Sequence, residues 1–270
     1  MKLKKLLYCL PVLGALVLSS CSASFNGVEQ IKANKEIVIA TNATFQPFEY
    51  IEDNEFKGID IDFMEAYAKS LDVKLTISNI DFDAIPSTIS SGKADVGIAG
   101  MTKTEKREKI LSFTDTYYKA SQVVIVKNGS IYDGLTSADE ILAKLSENKA
   151  KIGAQKGTTG AAYIAGDEDM EFPGISGAEL KNFDDGIMAT MALSNGQIDA
   201  VIIDKAPADL YVKKYTDLKV LNISLTEEEY AIACAKGNDT LIDSLNEFIG
   251  KAKSDGSLDA IISKYYVQSN

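Results

Sequence analysis

The sequence predicts an α/β protein of two similar lobes, each a mainly parallel sheet flanked by helices, joined by a hinge of two strands. Three observations carry this. From Glu36 to Ala99, short apolar runs alternate with amphipathic helical patterns in βαβαβ order, which implies a parallel sheet with helical crossovers. A weaker echo follows: the stretch from Ser194 to Asp204 parallels that from Ser90 to Gly100, a helix ending at Gly and an Asp three residues on opening a buried strand. Two extended segments, Tyr117 to Val126 and Glu227 to Cys234, then take the chain between the lobes twice.

Along the first lobe, Ile37-Val38-Ile39-Ala40 is the opening strand and Thr41 to Tyr50 its loop. Gly58-Ile59-Asp60-Ile61-Asp62 leads into a helix whose apolar face is Met64, Tyr67, Ala68 and Leu71. The Asp60-x-Asp62 pair reads as a solvated helix start rather than a metal site. Val73 to Ile77 alternates as a strand, a loop with Asp81-Phe82-Asp83 follows, and a helix through Ile85 and Ile89 accepts Pro86 in its first turn and stops at Gly92. Val96-Gly97-Ile98-Ala99 is a buried parallel strand. Thr104 then caps a short helix with Arg107 in its first turn, where the dipole does not favour a cation and an anionic partner is wanted; pairing with Glu105 or Glu108 is the plainer alternative.

In the second lobe, Ser137 and Glu140 form a capping box ahead of Ala138, Ile141, Leu142 and Leu145, and Lys151 to Thr159 repeats the opening strand and loop. Two C-terminal amphipathic helices, one with Leu241, Leu245, Phe248 and Ala252, the next capped by Ser257 with Leu258, Ile261, Ile262 and Tyr265, pack back on the first lobe. The expected organisation is residues 1–20 as a signal peptide, 21–35 as a tether, 36–120 and 229–270 as the first lobe, and 121–228 as the second.

Met1-Lys2-Leu3-Lys4-Lys5 and the apolar run Leu6 to Val17 form an export signal whose apolar part is too short for a comfortable membrane span. It ends in Leu18-Ser19-Ser20-Cys21, which resembles a bacterial lipobox, so Cys21 is the expected lipidation site and the outer face of a membrane the expected location. Removing residues 1–20 takes away three lysines and leaves 25 basic against 39 acidic side chains, a formal −14, which argues against nucleic acid as a partner. With Cys21 acylated, only Cys234 remains in the mature chain, in a strand-like run, and no disulfide framework exists. The absence of histidine excludes Ser-His-Asp and Cys-His catalysis and the common zinc sites, and no GxGxxG or Gly-Lys-Ser/Thr loop supports a nucleotide. No cofactor, metal or catalytic group is expected.

The ends of the strands place Asn42 and Phe45, Phe82, Gly100, Thr102 and Arg107, Gln155, Gly157, Thr158 and Thr159, and Asp204 toward one cleft, where ligands of open α/β sheets sit. Arg107 can take a carboxylate bidentately, with the amides of Gly157-Thr158-Thr159-Gly160 behind it, and Asp204 can take an ammonium. A ligand with both charges on one carbon is a free α-amino acid. Taken singly, the Gly-Thr-Thr-Gly run also reads as a turn, Phe45 and Phe82 as core, and Asp204 as the cap of the next helix; their joint placement after strands carries the argument.

The segments 40–50, 58–62, 81–85, 99–107, 113–118, 155–160 and 199–204 together resemble the polar amino-acid substrate-binding proteins of ABC importers, over essentially all of residues 36–266. That resemblance implies the two-lobed type II periplasmic-binding-protein fold. It also implies that Arg107 holds the ligand carboxylate, Asp204 its ammonium, Phe45 and Phe82 flank it, and Gly100, Thr102, Thr158 and Thr159 contact its α-groups. Asn42 stands where members selective for cationic amino acids often carry an acid, so with Gln155 it points to a neutral ligand such as glutamine, unless Glu49 faces the cleft and restores a negative field. The implied partners are an amino acid, a permease and, through the lipid, a membrane, with a monomeric protein. A dehydratase-type enzyme or an amino-acid sensor on the same fold is the alternative; the first needs an unpaired titratable group beside the substrate.

Overall fold

The computed structural model describes residues 25–267, so the signal, lipobox and Cys21 expectations lie outside the described residues. Two five-stranded sheets organise the chain. The first runs Lys74–Asn79, Glu36–Thr41, Val96–Gly97, Glu228–Ala235, Leu111–Ala120; the second runs Glu179–Phe183, Lys151–Gln155, Ala200–Asp204, Gln122–Lys127, Leu218–Leu221. In each, the first three strands are parallel, the fourth is antiparallel to the third, and the fifth is antiparallel to the fourth.

The fourth strand of each sheet arrives directly from the other lobe. Leu111–Ala120 passes through Ser121 into Gln122–Lys127, and Leu218–Leu221 leads into Glu228–Ala235. Each lobe's fifth strand therefore feeds the other's fourth, and the two crossings lie side by side, the Gln122 amide donating to the Thr226 hydroxyl at 2.9 Å. The last two helices, Asp239–Ser254 and Ser257–Val267, pack on the first lobe against Leu111–Ala120 and the helix Ile59–Ser70.

Several local expectations change. The stretch read as tether contains a helix, Val28–Asn34, with Ile31 fully buried; the Asn26 amide donates to Asp95 at 2.9 Å and the Asn26 carbonyl receives Asn238. A two-turn helix with one core residue has no periodicity to read. The strand after Asp95 is only Val96–Gly97, because the chain must turn at Gly100 to reach the cleft. Residues 44–57 hold a small three-stranded sheet instead of a loop. Ile249, not Phe248, is the fully buried residue of its turn; Phe248 lies edge-on to Phe63 and Tyr67. Ser257 is the first helical residue, its N–H received by Asp255 at 2.9 Å.

Asp60 is the largest correction. It is fully buried, not solvated: the Gly100 amide donates to one carboxylate oxygen at 2.9 Å and the Tyr117 hydroxyl to the other at 2.8 Å. Its helix starts beneath the cleft floor, so its side chain braces the Gly100 turn, while Asp62 faces outward and pairs with Lys264 at 2.6 Å. Among the described residues, no cluster of His, Cys, Asp and Glu is arranged to hold a metal, and no helix is long and apolar enough to cross a membrane.

Candidate functional site

All ten residues singled out as ligand contacts line one cavity between the lobes: Asn42, Phe45, Phe82, Gly100, Thr102, Arg107, Gln155, Thr158, Thr159 and Asp204, joined by Glu49 and Ala99. The lobes meet over it. The Gln155 amide donates to Asn42 at 2.9 Å, Arg107 Nη2 to the Gly157 carbonyl at 3.0 Å, and the Tyr211 hydroxyl to the Thr44 carbonyl at 2.9 Å.

Arg107 is placed by its own cap. The Thr104 hydroxyl accepts the Arg107 amide, which fixes the first turn of Glu105–Glu108 and turns the guanidinium inward, away from Glu105 and Glu108. The side chain is buried, Nη1 donates to the Thr102 carbonyl at 2.5 Å, and the guanidinium lies 5.4 Å from the centre of the Phe82 ring. No carboxylate among the described residues pairs with it, and burial lowers its pKa to about 10 against the opposing pull of Glu228 and Asp204. Two of its five N–H groups are spent on carbonyls, so the rest can receive an anion. Gly100 makes the approach possible: its φ is +51°, and a β-carbon there would come within 2.8 Å of Phe45.

From the second lobe, Asp204 ends its strand at the first turn of Lys205–Lys214 but does not cap it. Its carboxylate instead receives the Tyr230 hydroxyl at 2.6 Å, and burial, followed by the charge of Glu228, raises its pKa to about 7. Thr158 does cap, accepting the Ala161 amide at 3.2 Å, so the Gly-Thr-Thr-Gly run is a helix start. Gly157, at φ +75°, lies against Asp83 of the first lobe, where a β-carbon would approach within 2.8 Å.

The polar amides expected to read a side chain are committed. Asn42 donates to the Ile80 carbonyl at 2.8 Å and accepts both Gln155 and Thr44. Gln155 gives its other donor to the Asp184 carbonyl, leaving an acceptor oxygen. Glu49 is the opposite case. It is fully buried on the cavity wall, no N–H or hydroxyl of another described residue reaches its carboxylate oxygens, and its pKa is raised first by burial, then by the charge of the neighbouring Asp60 carboxyl and a hydrogen bond shared with it. The signal for it was the hairpin register, since Phe45 pairs with Glu49 and directly opposed residues share a face. Glu228 and Tyr230, which hold site residues from the return crossing, carried no sequence signal beyond an acidic run before an apolar strand.

The comparisons with known proteins agree with this fold. The profile of the bacterial extracellular solute-binding proteins, family 3, matches residues 37–268. A probable histidine-binding protein of Neisseria gonorrhoeae is 30% identical over 99% of this chain and 97% of its own length. The ABC transporter arginine-binding protein 1 of Escherichia coli strain K12 is 32% identical over 94% of this chain and 99% of its own. The solved structure of an ancestral arginine-binding protein bound to arginine superposes with a TM-score of 0.75 at 36% identity, covering 86% of this chain and 98% of that one. With its two lobes and double crossing, the chain belongs to family 3 of the bacterial extracellular solute-binding proteins.

Proposed function

We propose that the protein is the substrate-binding component of an ABC importer for an amino acid, and that its ligand has a cationic side chain, arginine before lysine. The α-carboxylate meets the free N–H groups of Arg107, and the ammonium meets Asp204. The observation that carries the choice of side chain is Glu49, a buried carboxyl on the cavity wall whose one polar neighbour of note is a second buried carboxyl, Asp60, with no cation beside it. An uncompensated buried acid is costly, and a cation entering beside it recovers that cost. With the Gln155 oxygen, that end of the cavity offers acceptors. Guanidinium is a fork of five donors with no acceptor, whereas the carbonyl of glutamine would need a donor the committed amides do not supply. Phe45 adds a ring face suited to a planar cation. The arginine-binding relatives support the same reading.

The obvious ionisable pair, Arg107 and Asp204, is taken up in holding the ligand, which favours a receptor over a dehydratase-type enzyme. We assign residues 36–120 and 229–270 to the first lobe and 121–228 to the second, the boundary falling at Glu228, which already pairs with Ala120 in the first sheet, and Cys21 to a lipid anchor on the extracellular face; a Cys21→Ala precursor that still incorporates labelled fatty acid would refute the anchor. The test of function is calorimetry across the free amino acids. Arginine binds most tightly, without turnover, and Glu49→Gln loses tenfold or more for arginine while glutamine changes little. Tighter binding of glutamine than arginine by the unsubstituted protein overturns the cationic assignment.

A further inference from the structure

The return crossing brings Glu228 to the back of the amino-acid site. It is 7% exposed, and one of its oxygens, Oε2, receives the Thr102 hydroxyl at 2.5 Å and the Thr159 hydroxyl at 2.8 Å, while Oε1 receives Thr226 at 2.8 Å. Thr102 belongs to the first lobe and Thr159 to the second. The two contacts are not equivalent. The start of the Glu228–Ala235 strand is stitched to the Gly100 loop, with the Lys103 amide donating to the Glu229 carbonyl at 3.0 Å and the Ala231 amide to the Met101 carbonyl at 3.1 Å, so Glu228 and Thr102 move as one body. Thr159 is the partner that leaves when the lobes part. Its hydroxyl also accepts Gln122 Nε2 of the outgoing crossing at 3.1 Å, which fixes it between the two crossings.

We propose that Glu228 is a positioning residue for closure: it docks the Thr159 hydroxyl of the second lobe onto the first, raising the population of the closed state in which the ligand is held. The inference rests on the two-lobed receptor reading but not on which amino acid binds. Because the Thr159 hydroxyl gives its proton to Glu228 and takes one from Gln122, it has no proton for the ligand carboxylate, which leaves that group to Arg107 and backbone amides. A residue acting on closure changes every ligand's apparent affinity by the same factor, since that affinity scales with the competent fraction. A contact that read the side chain would not.

The test compares Glu228→Ala and Glu228→Gln with the unsubstituted protein by small-angle scattering, with and without arginine, and by calorimetry on arginine and lysine. Glu228→Ala gives a more open ensemble at subsaturating arginine and weakens both ligands by a common factor of about ten. Glu228→Gln, whose amide oxygen still accepts two hydroxyls, stays within about threefold. In a Thr159→Val background, Glu228→Ala adds little, as the partner is already gone. A folded Glu228→Ala protein with unchanged affinity and scattering overturns the proposal. So does a loss confined to one ligand, which would make Glu228 a side-chain reader. If the unsubstituted protein binds no amino acid at all, the receptor reading falls instead, and scattering of the ligand-free variants alone decides whether Glu228 holds the lobes together.

Discussion

The two lobes share one strand order and one rule of exchange, yet they divide the work unequally. Eight of the twelve cavity residues belong to the first lobe and four to the second. The first lobe supplies the cation, both aromatic rings and Glu49; the second supplies Asp204, the Thr158-Thr159 turn and Gln155. Their hinge strands differ too: Leu111–Ala120 and Glu228–Ala235 pair along most of their length in the first sheet, whereas the second holds the shorter Gln122–Lys127 and Leu218–Leu221. The first lobe is further clasped by its two C-terminal helices and by Ile31. Similar topology does not mean equal roles: the first lobe lines most of the cavity and the second covers it, the arrangement expected if the ligand docks on the first and the second closes.

The largest effects break that division directly. Arg107→Ala should weaken binding of every amino acid by about 2–5 kcal/mol, because it removes the buried partner proposed for the common carboxylate. Asp204→Asn should cost a comparable amount but leave weak binding to an open protein, since the docking lobe is intact. Calorimetry paired with scattering separates the two: heat without compaction in Asp204→Asn sustains the comparison, and heat without compaction in Arg107→Ala reverses it.

Acidity sharpens the comparison next. Asp60 of the first lobe and Asp204 of the second have carboxyls raised from 3.8 to about 6 and about 7, in both cases chiefly by burial. The ligand-free folded state therefore binds more protons than the unfolded chain between about pH 4 and pH 7, and its stability falls as pH rises through that window. The proposed contact of the ligand ammonium with Asp204 requires that carboxyl ionised, so binding releases a proton near neutrality, and affinity drops by up to about tenfold per pH unit below pH 7. Melting temperatures with and without arginine should converge between pH 7.5 and pH 5. A ligand-induced shift that stays constant over that range would contradict the role of these carboxyls.

Much of this was legible in the residues. The buried strands announce themselves as apolar runs, and the cavity residues follow from where those strands stop, which is why ten separate positions meet in one place. What stayed hidden depends on pairing between distant segments. Nothing local distinguishes Asp60, buried under Gly100, from Asp62, partly exposed and paired with Lys264. Asn42 and Gln155 look like free readers until they bond to each other, 113 residues apart. Glu228 is one of three consecutive glutamates, and only the sheet register turns it inward.

The smallest expected effects lie at the rim, where two ion pairs span the lobes on the Arg107 side. Lys106 meets Asp167 at 2.5 Å and Lys109 meets Asp169 at 2.7 Å, joining the short helix Glu105–Glu108 and its C-terminal Lys109 to the turn Glu168–Met170. Both lysines are about half exposed, so each pair contributes on the order of 0.2–1 kcal/mol at most. They differ from the ion pairs within either lobe in one respect: they exist only when the lobes meet, so their energy enters ligand affinity and not merely stability. Asp167→Asn should weaken arginine binding by up to about fivefold at low salt, more than Asp169→Asn, because Asp167 is the less exposed acid and is held below its usual pKa first by Lys106. Raising the salt to about 0.5 M should shrink the difference from the unsubstituted protein, since exposed charges are screened within a few ångströms there. Disrupting Lys205–Asp209, a pair of similar exposure inside the second lobe, should leave affinity unchanged. If Asp209→Asn weakens binding as much as Asp167→Asn, the rim pairs have no special part in closure, and their effect is one of general charge.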